Sequence, residues 1–162
     1  MNIKLVISDI DGVWTDGGMF YDQFDNEWKK FNVSDGWGVR FLRDLGIPFA
    51  IMTGEDTNIV QRRADKLKVK YLYLGAKNKL QLAKDLCAEL SISLEEVAFI
   101  GDDLNDLKLL RAVGLSACPA QSPDYIKSEV DLVMTKRGGE GVFREFVEYI
   151  VKADLPKLIE QY

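Results

Sequence analysis

The chain contains no histidine. That absence removes the side chain whose ordinary pKa lies nearest neutrality. With it go the Ser-His-Asp triad and a common protein ligand for zinc. Proton transfer near neutral pH is left to carboxylates, lysine, cysteine or tyrosine. Any metal is expected on oxygen ligands, which favours Mg²⁺ over Zn²⁺. Cysteine is scarce too: Cys87 and Cys118 stand alone, with no Cys-x-x-Cys spacing. Neither a disulfide framework nor a zinc site is expected, and the cytoplasm is the expected compartment. No apolar run approaches the roughly 20 residues that span a bilayer. The N-terminus enters the strand-like run IKLVI without a basic segment and a long apolar core, so neither a signal peptide nor a membrane partner is expected. At a net charge of −5 no block of lysine or arginine stands out, which argues against nucleic acid.

What is present is an alternation. The 162 residues are 47% hydrophobic and 29% charged, ordinary for one globular domain over residues 1–162. Strand-like runs cover Ile3–Ser8, Pro48–Met52, Lys70–Leu74, Val97–Ile100, Leu115–Ala117 and Asp131–Met134. Amphipathic stretches lie between them. Trp37, Phe41, Leu42 and Leu45 fall at helical spacing, with Gly46 where a helix C-terminus ends. Leu80, Ala83, Cys87 and Leu90 repeat the pattern, and Phe146, Val147 and Ile150 belong to the last stripe. Ser93 with Glu96 reads as a capping box, and Ser122–Pro123 as an N-cap and first helical residue. The alternation predicts an α/β, Rossmann-like three-layer αβα sandwich with a central, mainly parallel sheet. Ligands of such folds bind beyond the carboxyl ends of the strands. One segment breaks the pattern: Gly18 to Val33 reads as an aromatic-rich β-hairpin inserted after the first strand. Its Phe20, Tyr21, Phe24, Trp28 and Phe31 are too many rings to leave in water, which favours subunit contact. The tail over residues 153–162 is either mobile or docked on a neighbour.

Polar residues collect where ligands are expected. Asp9 and Asp11 follow the first strand, Thr53 the second, Lys79 begins the helix after the third, and Asp102, Asp103 and Asp106 follow the fourth. Phosphoryl transfer through an aspartyl-phosphate fits this set. Asp9 would attack phosphorus, and Asp11 would protonate the leaving oxygen and then deprotonate water. Mg²⁺ on Asp9 and Asp102 would offset the repulsion between nucleophile and phosphate. Thr53 and Lys79 would bind phosphoryl oxygens. Uncatalysed phosphate-monoester hydrolysis is so slow that enzymes accelerate it up to roughly 10²¹-fold, which calls for several convergent groups. Asp16 opens the hairpin and is given no catalytic part.

DIDGVWTDG, MTG, a lysine at a helix start and GDDLND, in that order along nearly the whole chain, resemble the four motifs of the haloacid dehalogenase superfamily. The resemblance implies that the Asp11 backbone carbonyl also binds the metal. It implies that Asp106 supports the site by holding Lys79 or a metal-bound water, with Asp103 either supporting or capping. The short spacings from Asp11 to Thr53 and from Thr53 to Lys79 leave no room for a cap domain. DGVWTDG, the hairpin, VSDGWGVRFL and GGEGVFREF resemble the capless group whose members act on eight-carbon octulosonate phosphates and nine-carbon sialic-type phosphates. That group implies a homotetramer in which neighbours complete each other's sites. Gly138, Gly139 and Gly141 then form a loop over the site or start the last helix.

The octulosonate enzymes usually carry Thr-Gly-Arg in the second motif. This chain has Thr53-Gly54-Glu55, which points toward a nine-carbon acid. Glu55, Arg63 and Lys66 share one helical face in this reading, with Arg63 roughly 12 Å beyond Glu55 at about 1.5 Å per residue. Glu55 and Gly54 would meet the sugar near the phosphate. Arg63 and Lys66 would meet its carboxylate at the far end or in a neighbour's site. The expected substrate is a small acidic sugar phosphate, first 2-keto-3-deoxy-D-glycero-D-galacto-nononate 9-phosphate. The alternatives are 3-deoxy-manno-octulosonate 8-phosphate, N-acetylneuraminate 9-phosphate, and a non-catalytic assembly module.

Overall fold

Period-two burial identifies the centre of the fold. The first strand, β1 (Leu5–Ser8), is buried at all four positions. Leu5 and Ile7 face one apolar cluster and Val6 the other, as alternation along a strand requires. A strand with both faces covered belongs inside a parallel sheet. The computed structural model, which describes residues 2–162, places it there. β4 (Phe49–Met52), β5 (Tyr71–Tyr73), β6 (Val97–Ile100), β7 (Leu115–Cys118) and β8 (Leu132–Val133) complete a six-stranded sheet in the order β5-β4-β1-β6-β7-β8. Every neighbouring pair is parallel.

The helices divide between the two faces. α1 (Asp35–Asp44), α2 (Asn58–Leu67), α6 (Val142–Ile150) and α7 (Leu155–Ile159) contribute to one cluster, through Phe41, Val60, Phe146 and Leu158. α3 (Lys79–Leu90), α4 (Leu107–Leu110) and α5 (Asp124–Lys127) contribute to the other, through Leu86, Leu109 and Ile126. Each helix buries one stripe against the sheet. Local signals place the ends of several. Gly46 takes φ +69° just after α1, a conformation open to glycine without cost. Ser93 and Glu96 form the expected capping box. Pro123, rather than Ser122, is the N-cap of α5, one residue later than the sequence suggests.

The hairpin forms as β2 (Phe20–Tyr21) and β3 (Glu27–Trp28), a separate two-stranded sheet. Asp22 organises its turn, accepting from the Phe24 amide at 2.7 Å and the Asn26 amide at 3.0 Å. Phe20, Tyr21, Phe24 and Trp28 are all exposed on this chain. The tail differs from expectation. It docks on its own chain: Leu158 is buried, and the Tyr162 ring meets Trp37 of α1 edge-on at 4.9 Å. The Tyr162 hydroxyl also bonds Asp44. Among the described residues no helix is long and apolar enough to cross a membrane.

Candidate active site

β1 ends at the centre of the sheet, so the residue that follows emerges between two neighbouring strand ends. The Asp9 amide donates to the Ile100 carbonyl at 3.0 Å, which carries the β1–β6 pairing one residue past the strand. The chain then turns sharply. Trp14 is fully buried beneath that turn. It stacks on Phe143 at 4.8 Å and donates from Nε1 to the Ser8 hydroxyl at 2.9 Å. A large ring with a satisfied N–H makes a stiff anchor, and it fixes the segment that carries Asp9 and Asp11.

Lys79 enters from the first turn of α3, with its side chain 1% exposed. Its Nζ lies 2.8 Å from Asp9 Oδ1 and 2.6 Å from Asp106 Oδ1. The second Asp106 oxygen accepts the Asp102 amide at 2.9 Å and the Asp103 amide at 3.5 Å. Asp106 therefore ties the lysine to the loop after β6. That close approach needs Gly101: a Cβ there would lie 2.5 Å from the Asp106 carboxyl carbon. Gly12, at φ +81°, plays the same part for Asp102, whose Oδ2 would fall 1.8 Å from a Cβ on Gly12. Asp103 accepts the Leu104 amide at 2.7 Å and the Tyr125 hydroxyl at 3.3 Å, which makes it a loop organiser.

Oxygens of Asp9, Asp102 and Asp106 all lie within 4.8 Å of one another. Like charges this close, removed from water, resist ionisation together. Burial, then the Asp106 charge, pushes the Asp9 carboxyl up to about 7 against the pull of Lys79. Burial, then Asp9 and Asp106, pushes Asp102 up to about 8. For Lys79, burial favours loss of the proton, but Asp9 and Asp106 outweigh it and raise its pKa. Fully ionised, three carboxylates around one ammonium would leave negative charge in excess. The donor set fits a hard divalent cation with oxygen ligands. Asp106 has both oxygens engaged, so Asp9 and Asp102 are the carboxylates free to hold it.

Asp9 and Asp102 floor an open cleft of about 470 Å³, lined also by Asp11, Thr53, Gly54, Glu55, Met19 and Asn105. Thr53 is buried at the end of β4, held by its amide to the Tyr73 carbonyl at 3.0 Å. Asp9, Asp11, Thr53, Gly54, Glu55, Asp102 and Asp103 thus share one cleft, with Lys79 and Asp106 just beneath it.

Arg63 and Lys66 are not brought to this cleft within the chain. Glu55 precedes α2, which begins at Asn58, so the three do not share a helical face. Arg63 packs 5.7 Å from the Phe31 ring and 5.9 Å from Trp14, and donates to the Asn32 carbonyl at 3.1 Å. Lys66 lines a separate cavity of about 410 Å³ with Trp37, Arg40, Arg43 and Lys68.

Two site residues have no motif to announce them. Lys29, from the hairpin, reaches both Asp11 oxygens at 2.7 and 2.8 Å. Gln121 donates to the Gly12 carbonyl at 2.7 Å and accepts the Gly138 amide at 2.8 Å. It thereby locks the Gly138–Gly141 loop onto the turn, and Gly141 is also the N-cap of α6. Only the hairpin's position after β1 hints at Lys29; nothing in the sequence hints at Gln121.

Residues 72–146 match the family model of haloacid dehalogenase-like hydrolases. The chain is 41% identical over 152 residues, 94% of its length and 84% of the other's, to the 3-deoxy-D-manno-octulosonate 8-phosphate phosphatase KdsC of Haemophilus influenzae. A cobalt-bound structure of the Haemophilus influenzae enzyme superposes with a TM-score of 0.89 at 41% identity, covering 94% of this chain and 89% of that one. The Moraxella catarrhalis phosphatase of the same name, solved with magnesium, phosphate and KDO, gives 0.95 at 36% identity, covering 99% and 93%. These relatives are named for the eight-carbon phosphate. None of these names carries the nine-carbon acid suggested by Thr53-Gly54-Glu55.

The raised carboxyl pKa values set a pH prediction. Asp9 and Asp102 keep protons in the folded chain that they lose near pH 3.8 when unfolded. Their contribution to stability therefore falls as pH rises toward about 7 to 8. In EDTA the chain should melt lower at pH 8.5 than at pH 6. Mg²⁺ should raise Tm more at pH 8.5, by several degrees near a hundred-fold excess over Kd, where binding adds about 2.7 kcal/mol. Asp102→Asn should lose most of that rise. Equal Mg²⁺ shifts at both pH values would contradict this reading of the cluster.

Proposed function

The chain belongs to the haloacid dehalogenase-like hydrolases, and from that premise we propose that it is a Mg²⁺-dependent phosphatase of a sugar-acid phosphate. The observation that carries the proposal is Asp9, buried at the end of β1, 2.8 Å from the Lys79 ammonium and beside Asp102. Asp9 attacks phosphorus: a bond forms from its carboxylate oxygen and the ester P–O bond breaks. Asp11 gives its proton to the departing sugar oxygen. Water then attacks the aspartyl-phosphate, Asp11 takes its proton, and Asp9 is released with inorganic phosphate. The Lys79 ammonium and the Thr53 hydroxyl hold phosphoryl oxygens and oppose their growing charge. Asp9, Asp102 and the Asp11 carbonyl would hold Mg²⁺, which would supply the positive charge that lets an anionic nucleophile meet an anionic substrate.

For the substrate we infer 3-deoxy-manno-octulosonate 8-phosphate, on the similarity to enzymes named for it. One observation favours a second reading. Glu55 lines the cleft where those enzymes usually carry arginine, and an acidic group suits the hydroxyls of a nine-carbon 2-keto-3-deoxy acid. The open cleft and the exposed rings of Phe20, Tyr21, Phe24 and Trp28 support self-association through the hairpin, as a tetramer whose neighbours close each other's clefts. In that assembly Arg63 and Lys66 would serve a neighbouring cleft.

Three outcomes test this. A kcat/KM panel should rank the octulosonate phosphate above nine-carbon phosphates by about tenfold or more, the worth of about 1.4 kcal/mol; the reverse order would select the Glu55 reading. Asp9→Asn should abolish Mg²⁺-dependent phosphate release, and activity equal to wild type would remove the aspartyl-phosphate route. Light scattering should report a tetramer that Phe24→Ser with Trp28→Ser dissociates. A wild-type monomer would exclude the shared site.

A further inference from the structure

The hairpin has little of its own to hold it in place. Two strands of two residues each form a sheet apart from the main one, and such isolated ribbons are marginal in water. Yet one hairpin side chain is entirely removed from solvent. Lys29, just past β3, has a side-chain exposure of 0%, and its ammonium contacts both oxygens of Asp11. A buried ammonium is costly unless a charge partner meets it at good geometry. Here that partner is a carboxylate lining the catalytic cleft. Oδ1 of the same carboxylate also takes the Thr15 hydroxyl at 3.4 Å, and that hydroxyl accepts the Gly12 and Gly17 amides. The carboxyl of Asp11 is thus gripped from the turn beneath it and from the hairpin above it.

We propose that Lys29 is a positioning residue for Asp11: it sets the orientation of the carboxyl that exchanges the proton, and makes that orientation depend on a seated hairpin. The inference rests on the phosphatase reading above, in which Asp11 serves the leaving group. Two contacts on one carboxylate remove its rotational freedom. To serve the leaving group Asp11 carries its proton on one oxygen; Lys29 then holds the other, which aims that proton at the departing oxygen. With the hairpin displaced, Asp11 loses one of its two holders, and the buried Lys29 loses its partner. Seating of the hairpin and readiness of Asp11 are then one event. An exposed flap residue whose only part was to cover the cleft would not need a fully buried charge aimed at Asp11.

The test uses two phosphate esters that differ in how much they need an acid. The alkyl ester 3-deoxy-manno-octulosonate 8-phosphate has a poor leaving group; p-nitrophenyl phosphate releases p-nitrophenolate, which departs without a proton. Lys29→Met should lower kcat/KM for the alkyl ester by about 10²-fold or more, the usual scale of acid–base assistance. The aryl ester should lose less than about tenfold. Lys29→Arg, which keeps a charge able to pair both oxygens, should recover the alkyl ester to within about tenfold of wild type. It also carries the test if Lys29→Met does not fold. In an Asp11→Asn background Lys29→Met should have no further effect on the alkyl ester, because the two act as a unit. Equal losses on both esters, or an undiminished loss without Asp11, would overturn the inference while leaving the phosphatase intact. A wild-type protein that hydrolyses neither ester, or activity unchanged in Asp9→Asn, would instead remove the phosphatase reading and this inference with it.

Discussion

Three carboxylates meet within a few ångströms around one buried ammonium, and most of the local structure exists to make that tolerable. Asp9, Asp102 and Asp106 would separate if their backbones allowed it. β1 and β6 are hydrogen-bonded neighbours in a parallel sheet, so their carboxyl ends cannot part. Lys79 offsets part of the repulsion, held 2.6 Å from Asp106 and 2.8 Å from Asp9. Burial first, and the remaining repulsion second, make Asp9 and Asp102 keep their protons to about pH 7 and 8. A folded site whose carboxyl groups ionise only at a cost is prepared for a cation that favours their ionised form. Ionised without one, it would repel an anionic substrate.

The support for this cluster is steric as much as electrostatic. Gly12 and Gly101 each stand where a methyl group would collide with Asp102 or Asp106, so the loops after β1 and β6 can press together. Trp14, packed on both Phe143 and Phe49, stiffens the loop that carries Asp9 and Asp11. Gln121 closes the arrangement from a third loop by bonding the Gly12 carbonyl and the Gly138 amide. Local rigidity of this kind would keep the proposed nucleophile, Asp9, and the proposed acid, Asp11, at a fixed separation, as positioning catalysis requires.

Much of this was legible in the sequence, for reasons of period and position. Buried strands in a parallel sheet read as short apolar runs, and Val97–Ile100 coincides with β6 to the residue. Strand ends then place Asp9, Thr53 and Asp102 on one edge without further information. Ends of elements were less legible. Ser122 looks like an N-cap, but Pro123 takes the position, because propensity weighs less than the packing of Ile126. Glu55, Arg63 and Lys66 looked like one stripe because a helix was extended three residues too far toward the N-terminus. The loop after β4 instead leaves Glu55 in the cleft and turns Arg63 toward Phe31 and Asn32. The tail reads as mobile or docked on a neighbour because it is short. Leu158 and Tyr162 are enough to dock it on its own chain. Lys29 was illegible: it stands beside Lys30 on a hairpin, and only folding shows which of the two turns inward.

The claim at the centre of the account is that Asp9 becomes covalently bound to the phosphoryl group. Quenching the enzyme during turnover with borohydride reduces an aspartyl-phosphate to homoserine, and peptide mapping then reads which carboxylate carried it. The account predicts homoserine at position 9, requiring both substrate and Mg²⁺, and absent in Asp9→Asn. Homoserine at another aspartate, or intact Asp9 in an enzyme that is turning over and accumulates the intermediate, would contradict it.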